Sequence, residues 1–305
     1  MSNLEIKKCE LCPRRCAVDR RKGEIGFCGC GKNVRVGRIA PHFWEEPCIC
    51  SEGGSGAVFF CGCNLKCVYC QNRDIAFDGG CGLELTVDEL ADEYLRLQAA
   101  GACNINLVTP TPWAEQIKES LDLSWQRGLW LPVVYNCGGY ESVSAVRSLR
   151  GYVSVYLTDF KYSDSELARR FSSAPDYPER ALEAIGQMVE NVGEPVFDGD
   201  VLKKGVIVRH LVLPGFIDNS VRCVKKLREA FGDSVVYSIM NQFTSVCLLP
   251  DGPGGEVADE EYLSVLAVAE GVRFLYYQEG GAVSESFIPE WNLKNPAERG
   301  KITSF

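Results

Sequence analysis

Histidine is nearly missing from this 305-residue chain, which holds only His42 and His210. A hydrolytic triad or a zinc hydrolase built on imidazole has little to draw on. Long apolar runs are missing too, and none approaches the roughly 18 residues that a membrane span needs. The opening "MSNLEIKKCELCPRRC" has no apolar segment of signal-peptide type, which sets a cytoplasmic expectation with no membrane partner. Basic surface is scarce. The net charge of −9 opposes general nucleic-acid binding, which needs positive charge against phosphates. Residues 1–40 depart from this, with ten Lys and Arg against four acids, a local +6 that suits neighbouring thiolates or plain solvation.

What the chain has in excess is cysteine. There are 16, of which twelve fall within residues 1–81. In a reducing compartment that density points to metal or catalysis before it points to disulfides. Cys103, Cys137, Cys223 and Cys247, scattered beyond, read as small core hydrophobes.

After residue 50 the pattern becomes regular. Apolar runs at 57–60, 104–109, 131–136, 153–160, 205–214 and 234–240 are each followed by a segment of helical spacing. Thr86 and Glu89 form a capping-box pattern at the start of one such helix. "EPVFDGDVLKKG" reads as a hairpin inserted before the fifth strand. Six strand-then-helix units with continuously apolar strands predict a parallel sheet covered by helices, either a partial (β/α)6 barrel or an open doubly wound sheet. In both, the chemistry belongs at the C-terminal strand ends. The boundaries read as a cysteine-rich metal-binding segment over 1–50, the barrel over 51–282 and a tail over 283–305.

The stretch "FFCGCNLKCVYCQN" (59–72) follows the first strand, and within it Cys63, Cys67 and Cys70 are spaced C-x3-C-x2-C. Electron-transfer clusters normally take four cysteines and structural zinc four ligands. Three thiolates leave one corner of a four-iron cluster for a small molecule. Cys61 reads as the strand's last core residue. "CNLKCVYC" resembles the CxxxCxΦC signature of the radical S-adenosylmethionine (SAM) enzymes, with Tyr69 at the aromatic position, and the resemblance runs from about residue 9 to residue 245. It implies a 4Fe-4S cluster, SAM bound at the open iron with its adenine near Tyr69, and reductive cleavage to a 5′-deoxyadenosyl radical. A low-potential donor such as flavodoxin or ferredoxin would supply the electron.

The later strand ends resemble the branch named after pyruvate formate-lyase activating enzyme. That resemblance implies cofactor contacts from Asn136 in "YNCGGYE", from Asp159 and Lys161 in "TDFKY", and from Arg209 in "RHLVLPG". Asp159 and Lys161 are also the candidate catalytic pair. His210 should face the other way. Where the branch carries "GGEP", this chain reads "VTPTP", so Thr109 (with Thr111) is the candidate oxygen acceptor. A glycyl-radical enzyme is the implied protein partner. Modification of another protein side chain or of a small molecule, an iron–sulfur electron carrier, and a zinc-stapled binding protein stay open.

Cys9, Cys12 and Cys16 in "CELCPRRC", with Cys28, could close a four-thiolate site. An auxiliary cluster and zinc are equally compatible with it. Metal would supply folding free energy to a segment too polar to build a core. Cys30, Cys48, Cys50 and Cys81 have no assignment from sequence.

Overall fold

The computed structural model describes residues 8–50, 53–243 and 255–278. The tail expected over 283–305 and Cys247 lie outside these residues.

The six expected strands are present as β2 (Ser55–Phe60), β4 (Ile105–Val108), β5 (Val133–Cys137), β6 (Val155–Asp159), β8 (Val201–Leu211) and β9 (Val236–Met240). They pair in parallel in the spatial order β2-β4-β5-β6-β8-β9, and a seventh parallel strand, β10 (Leu275–Tyr277), adds at the β9 edge. Every residue of β2, β4 and β5 is buried, which accounts for their unbroken apolar reading. The expected hairpin joins β7 (Val196–Asp198) to β8.

Besides β10, two strands have no counterpart in the sequence reading. β1 (Val34–His42) runs antiparallel to β2 and also pairs with β3 (Leu83–Leu85), so part of the cysteine-rich segment belongs to the same sheet. Among the described residues no ladder joins β3 to β10, and the sheet is an open, partial barrel.

Helices α2 (Val87–Ala99), α3 (Ala114–Gln126), α4 (Val143–Ser148), α5 (Ser165–Ser172), α6 (Tyr177–Val192), α7 (Ile217–Phe231) and α8 (Asp259–Ala269) follow the strands; a one-turn α1 (Arg73–Ala76) ends the cysteine loop. The capping box of α2 is formed, Glu89 N–H donating to Thr86 Oγ1 at 3.2 Å and Thr86 N–H to Glu89 Oε2 at 2.8 Å. The main core packs Tyr135, Tyr156, Phe160 and Tyr237 of the sheet side against Phe171, Tyr177, Ile185 and Leu227 of the helices. Inside the barrel, Cys48 and Ile49 pack with Val134, Val155, Leu157 and Ile207, so the loop from β1 to β2 plugs the side where the strands begin.

The same region corrects one expectation. Cys103 is not a free core thiol but is disulfide-bonded to Cys50, 53 residues away. Cys137 and Cys223 are free and buried, as expected of core residues. No described helix is long and apolar enough to cross a membrane.

Candidate active site

At the C-terminal strand ends lies a cavity of about 250 Å³. One wall is the cysteine loop, which contributes Cys67, Tyr69 and Cys70. The lining also includes Asn136 from β5, Asp159 from β6, Lys161 just beyond it, and Arg209 from β8. These residues come from four segments spread over 143 positions (67 to 209), and the parallel register collects them. Asp159 and Arg209 face each other across paired strands. His210, next along, is buried on the other face, its Nδ1 2.7 Å from the Phe160 carbonyl.

The polar groups form one network. The Asp159 carboxylate accepts from Lys161 Nζ at 2.5 Å and from Arg209 Nε at 2.9 Å. Burial by itself would raise its pKa, but Lys161 and Arg209 outweigh that effect and hold the carboxyl below its ordinary value. Arg209 is raised in turn: burial opposes its charge, and Asp159, Glu45 and Glu46 restore it. Arg209 Nη2 also donates to Asn136 Oδ1 at 2.7 Å, which fixes the amide.

The sequence reading missed Glu45 and Glu46, which the β1–β2 loop pushes into the barrel. Glu45 accepts from Asn106 Nδ2 at 2.8 Å and Asn136 Nδ2 at 3.1 Å, with Arg209 Nη1 at 3.4 Å. Glu46 accepts from Ser238 Oγ at 3.0 Å, and burial pushes its pKa up to about 7 against the pull of Arg209. Neither belongs to a spacing motif. Their only sequence signal is an acidic pair between an alternating segment, "VRVGRI", and the first barrel strand.

Thr109 does not join the site. It holds a left-handed φ of +58°, uncommon for a β-branched residue, and its N–H donates to the Asn136 carbonyl at 2.9 Å. Its side chain is not part of the cavity lining. Thr111 turns to the buried Glu141, 2.6 Å away. Glu45 is the carboxylate that instead reaches the end of the sheet where Thr109 was expected to act.

The cysteine loop suits a cluster by its donor chemistry. Leu65 N–H points at Cys63 Sγ (3.4 Å), and Ser172 Oγ–H points at Cys67 Sγ (2.9 Å). Hydrogen bonds to sulfur of this kind stabilise thiolates bound to iron. Burial lifts the Cys63 thiol to about 11, with Cys67 adding to the rise and Lys161 opposing it. Cys70 is lifted further for the same reasons. Such crowded thiols need a cation to ionise, and iron would supply one. Tyr69 is held by Tyr162, oxygen to oxygen 2.6 Å. Among the described residues, no three Cys, His, Asp or Glu side chains surround a point as ligands of a single metal ion would. The corners of a cubane lie farther apart than that.

The N-terminal thiols are gathered as well. Cys9 is raised by burial, with Cys28 and Cys16 contributing, and Cys12 is pushed up to about 12 by burial, with Glu141, Cys28 and Cys9 contributing. Cys28 is lowered to about 6 because the Cys30 thiol donates to it. Cys61, buried at the end of β2, takes Trp113 Nε1 on its carbonyl at 3.0 Å.

A sequence profile of the radical SAM superfamily matches residues 57–221, more than half of the chain. The chain belongs to the radical SAM superfamily. It is 30% identical over 258 residues to the uncharacterized protein MJ0674 of Methanocaldococcus jannaschii, covering 78% of this chain and 66% of that protein. It is 25% identical over 170 residues to a pyruvate formate-lyase-activating enzyme of Clostridium pasteurianum, covering 53% and 63% respectively. The matches thus span just under two thirds of these relatives. Streptococcus suis SuiB, solved with its precursor peptide SuiA, superposes on 72% of this chain and 47% of its own with a TM-score of 0.50 at 12% identity, a likeness of fold. Membership of the superfamily implies a 4Fe-4S cluster and SAM.

Proposed function

We propose that Cys63, Cys67 and Cys70 hold the cluster, that SAM occupies the adjoining cavity, and that the enzyme abstracts hydrogen from a glycine of a partner protein. The observation that carries this reading is the cavity itself, lined by two of the three thiols and by the ion-paired Asp159–Lys161–Arg209 network. The bound cluster and SAM supply one-electron reduction and a 5′-deoxyadenosyl radical.

The chain's part is binding, orientation and exclusion of water. Lys161 and Arg209 present cationic donors for a carboxylate, and Asp159 and Glu45 present acceptors for ribose hydroxyls or an ammonium group. Asn136, clamped between Arg209 and Glu45, fixes the spacing of the two sets. Tyr69, with its hydroxyl engaged by Tyr162, offers a fixed aromatic edge to a base. The glycine target draws support from the likeness to the Clostridium pasteurianum activating enzyme. The N-terminal thiols, in this reading, hold an auxiliary cluster, since no three of the described thiols converge on one point as a single zinc ion would require. A flavodoxin or ferredoxin serves as donor.

The test is anaerobic reconstitution with iron and sulfide, then dithionite and SAM. 5′-Deoxyadenosine should form in the wild type and not in Cys67→Ala. Added glycyl-radical enzyme should then acquire a stable protein radical. An electron carrier would be reduced reversibly and release no 5′-deoxyadenosine.

A further inference from the structure

Arg14 lies inside the N-terminal thiol knuckle, between Cys12 and Cys16, yet its guanidinium reaches the far side of the cluster loop. Its Nε donates to the Asn64 carbonyl at 2.9 Å, its Nη2 to the Ser172 carbonyl at 3.0 Å, and its Nη1 to the Ser173 carbonyl. The last two carbonyls end α5, where C=O groups lack helical partners and a cation is favoured. Asn64 follows Cys63 directly. Ser172 is the residue whose hydroxyl donates to Cys67 Sγ at 2.9 Å. A single fork therefore ties down the neighbour of one cluster thiol and the hydrogen-bond donor of another.

Two further contacts join the same pair of segments. The ring of Phe27, beside Cys28, lies 3.8 Å from the Arg14 guanidinium carbon and 5.2 Å from Nζ of Lys66 in the cluster loop. Gly62, at φ +81°, lies so close that a Cβ there would sit 2.2 Å from Cys30 Sγ and 2.7 Å from the Cys28 carbonyl oxygen. Only bare backbone permits that approach.

The structure assigns Arg14 as a positioning residue for the radical-SAM cluster, held in place by the thiol knuckle around it, so that the N-terminal segment sets how firmly Cys63 and Cys67 grip their cluster. This rests on the reading of Cys63, Cys67 and Cys70 as cluster ligands. A lysine cannot replace it, because a point charge spans one acceptor group where the planar fork spans two elements.

The experiment uses the reconstituted full chain, wild type against Arg14→Lys, Arg14→Gln and Cys12→Ser, with Arg169→Gln as control. Among the described residues the Arg169 side chain pairs only with Glu166, on its own helix surface, at 2.9 Å. The readout is the low-temperature EPR signal that responds to SAM, followed while a chelator strips iron. Loss of charge-assisted bonds to two elements should speed decay of that signal by about tenfold in both Arg14 variants, with far-UV circular dichroism unchanged. Cys12→Ser should move in the same direction, and Arg169→Gln should match wild type. Decay within twofold of wild type in both Arg14 variants overturns the assignment. So does a general loss of secondary structure in them, which would make Arg14 a residue of the fold at large. A wild type that shows no SAM-responsive signal sinks the ligand reading instead.

Discussion

The two cysteine groups mirror each other in spacing, C-x3-C-x2-C at 63–70 and C-x2-C-x3-C at 9–16, but the chain holds them by different means. The first leaves a fully buried strand, rests against α5, and opens on a cavity with charged walls. The second has only a three-residue 3-10 turn, Arg20–Lys22, and left-handed backbone at Arg15 and Ala17. It is anchored by long-range side-chain bonds, with Arg14 reaching Asn64 and Arg20 Nη1 reaching the Pro112 carbonyl at 2.5 Å. Thiols placed by a core can leave a coordination position free beside a built pocket.

The largest effect that would sharpen this contrast comes from Asp159. Its carboxylate pairs with two cations whose side chains are 18% and 17% exposed. Asp159→Ala should cost about 3–5 kcal/mol in urea unfolding, as expected when one member of a buried ion network is removed. It should also abolish 5′-deoxyadenosine formation. A stability loss under about 1 kcal/mol, the range of exposed pairs, would mean the network is solvated and the core-held site is not preformed.

Next comes Glu45→Gln. The amide keeps the size but loses the charge shared with Asn106, Asn136 and Arg209. SAM affinity by calorimetry should fall about tenfold, the scale of one hydrogen bond to a charged group, with little change in melting. Unchanged affinity would remove Glu45 from the site.

The third prediction is a pH slope from Glu46. Its folded pKa of about 7 lies above the ordinary carboxyl value of 4.5. Between those values the native state binds the extra proton, so this group's contribution to stability falls as pH rises through that window. The slope is at most about 1.4 kcal/mol per pH unit. Urea midpoints at pH 5 and 7.5 should differ less for Glu46→Gln than for wild type; equal differences would contradict the assignment. The smallest effect is Thr86→Ala, which breaks a capping box whose side chains bond each other and no thiol. It should cost about 1 kcal/mol and leave SAM binding intact.

Much of this was legible from sequence where apolar pattern and strand order decide the outcome. "AVFF", "NINLVT" and "YLTDF" had to be buried parallel strands. A parallel register then brings Asn136, Asp159 and Arg209 to one end. The loops were less legible. Glu45 and Glu46 follow β1, whose alternation Val34–Arg35–Val36 is short and embedded in polar, glycine-containing sequence. The Cys50–Cys103 pairing joins residues 53 apart and leaves no local signature. Thr109 was a reasonable acceptor by composition, but backbone geometry that no pattern reports turned it to the Asn136 carbonyl. Asn136 lines the cavity, and a Cβ at Gly139 would fall 2.2 Å from the Asp159 carbonyl oxygen.

The most direct measurement is low-temperature EPR of the reconstituted, dithionite-reduced chain before and after SAM is added. A cluster held by Cys63, Cys67 and Cys70 with one iron free of protein ligands should give a signal whose g-values move on SAM addition and which vanishes in Cys67→Ala. A signal indifferent to SAM, or one that survives Cys67→Ala, would contradict the account.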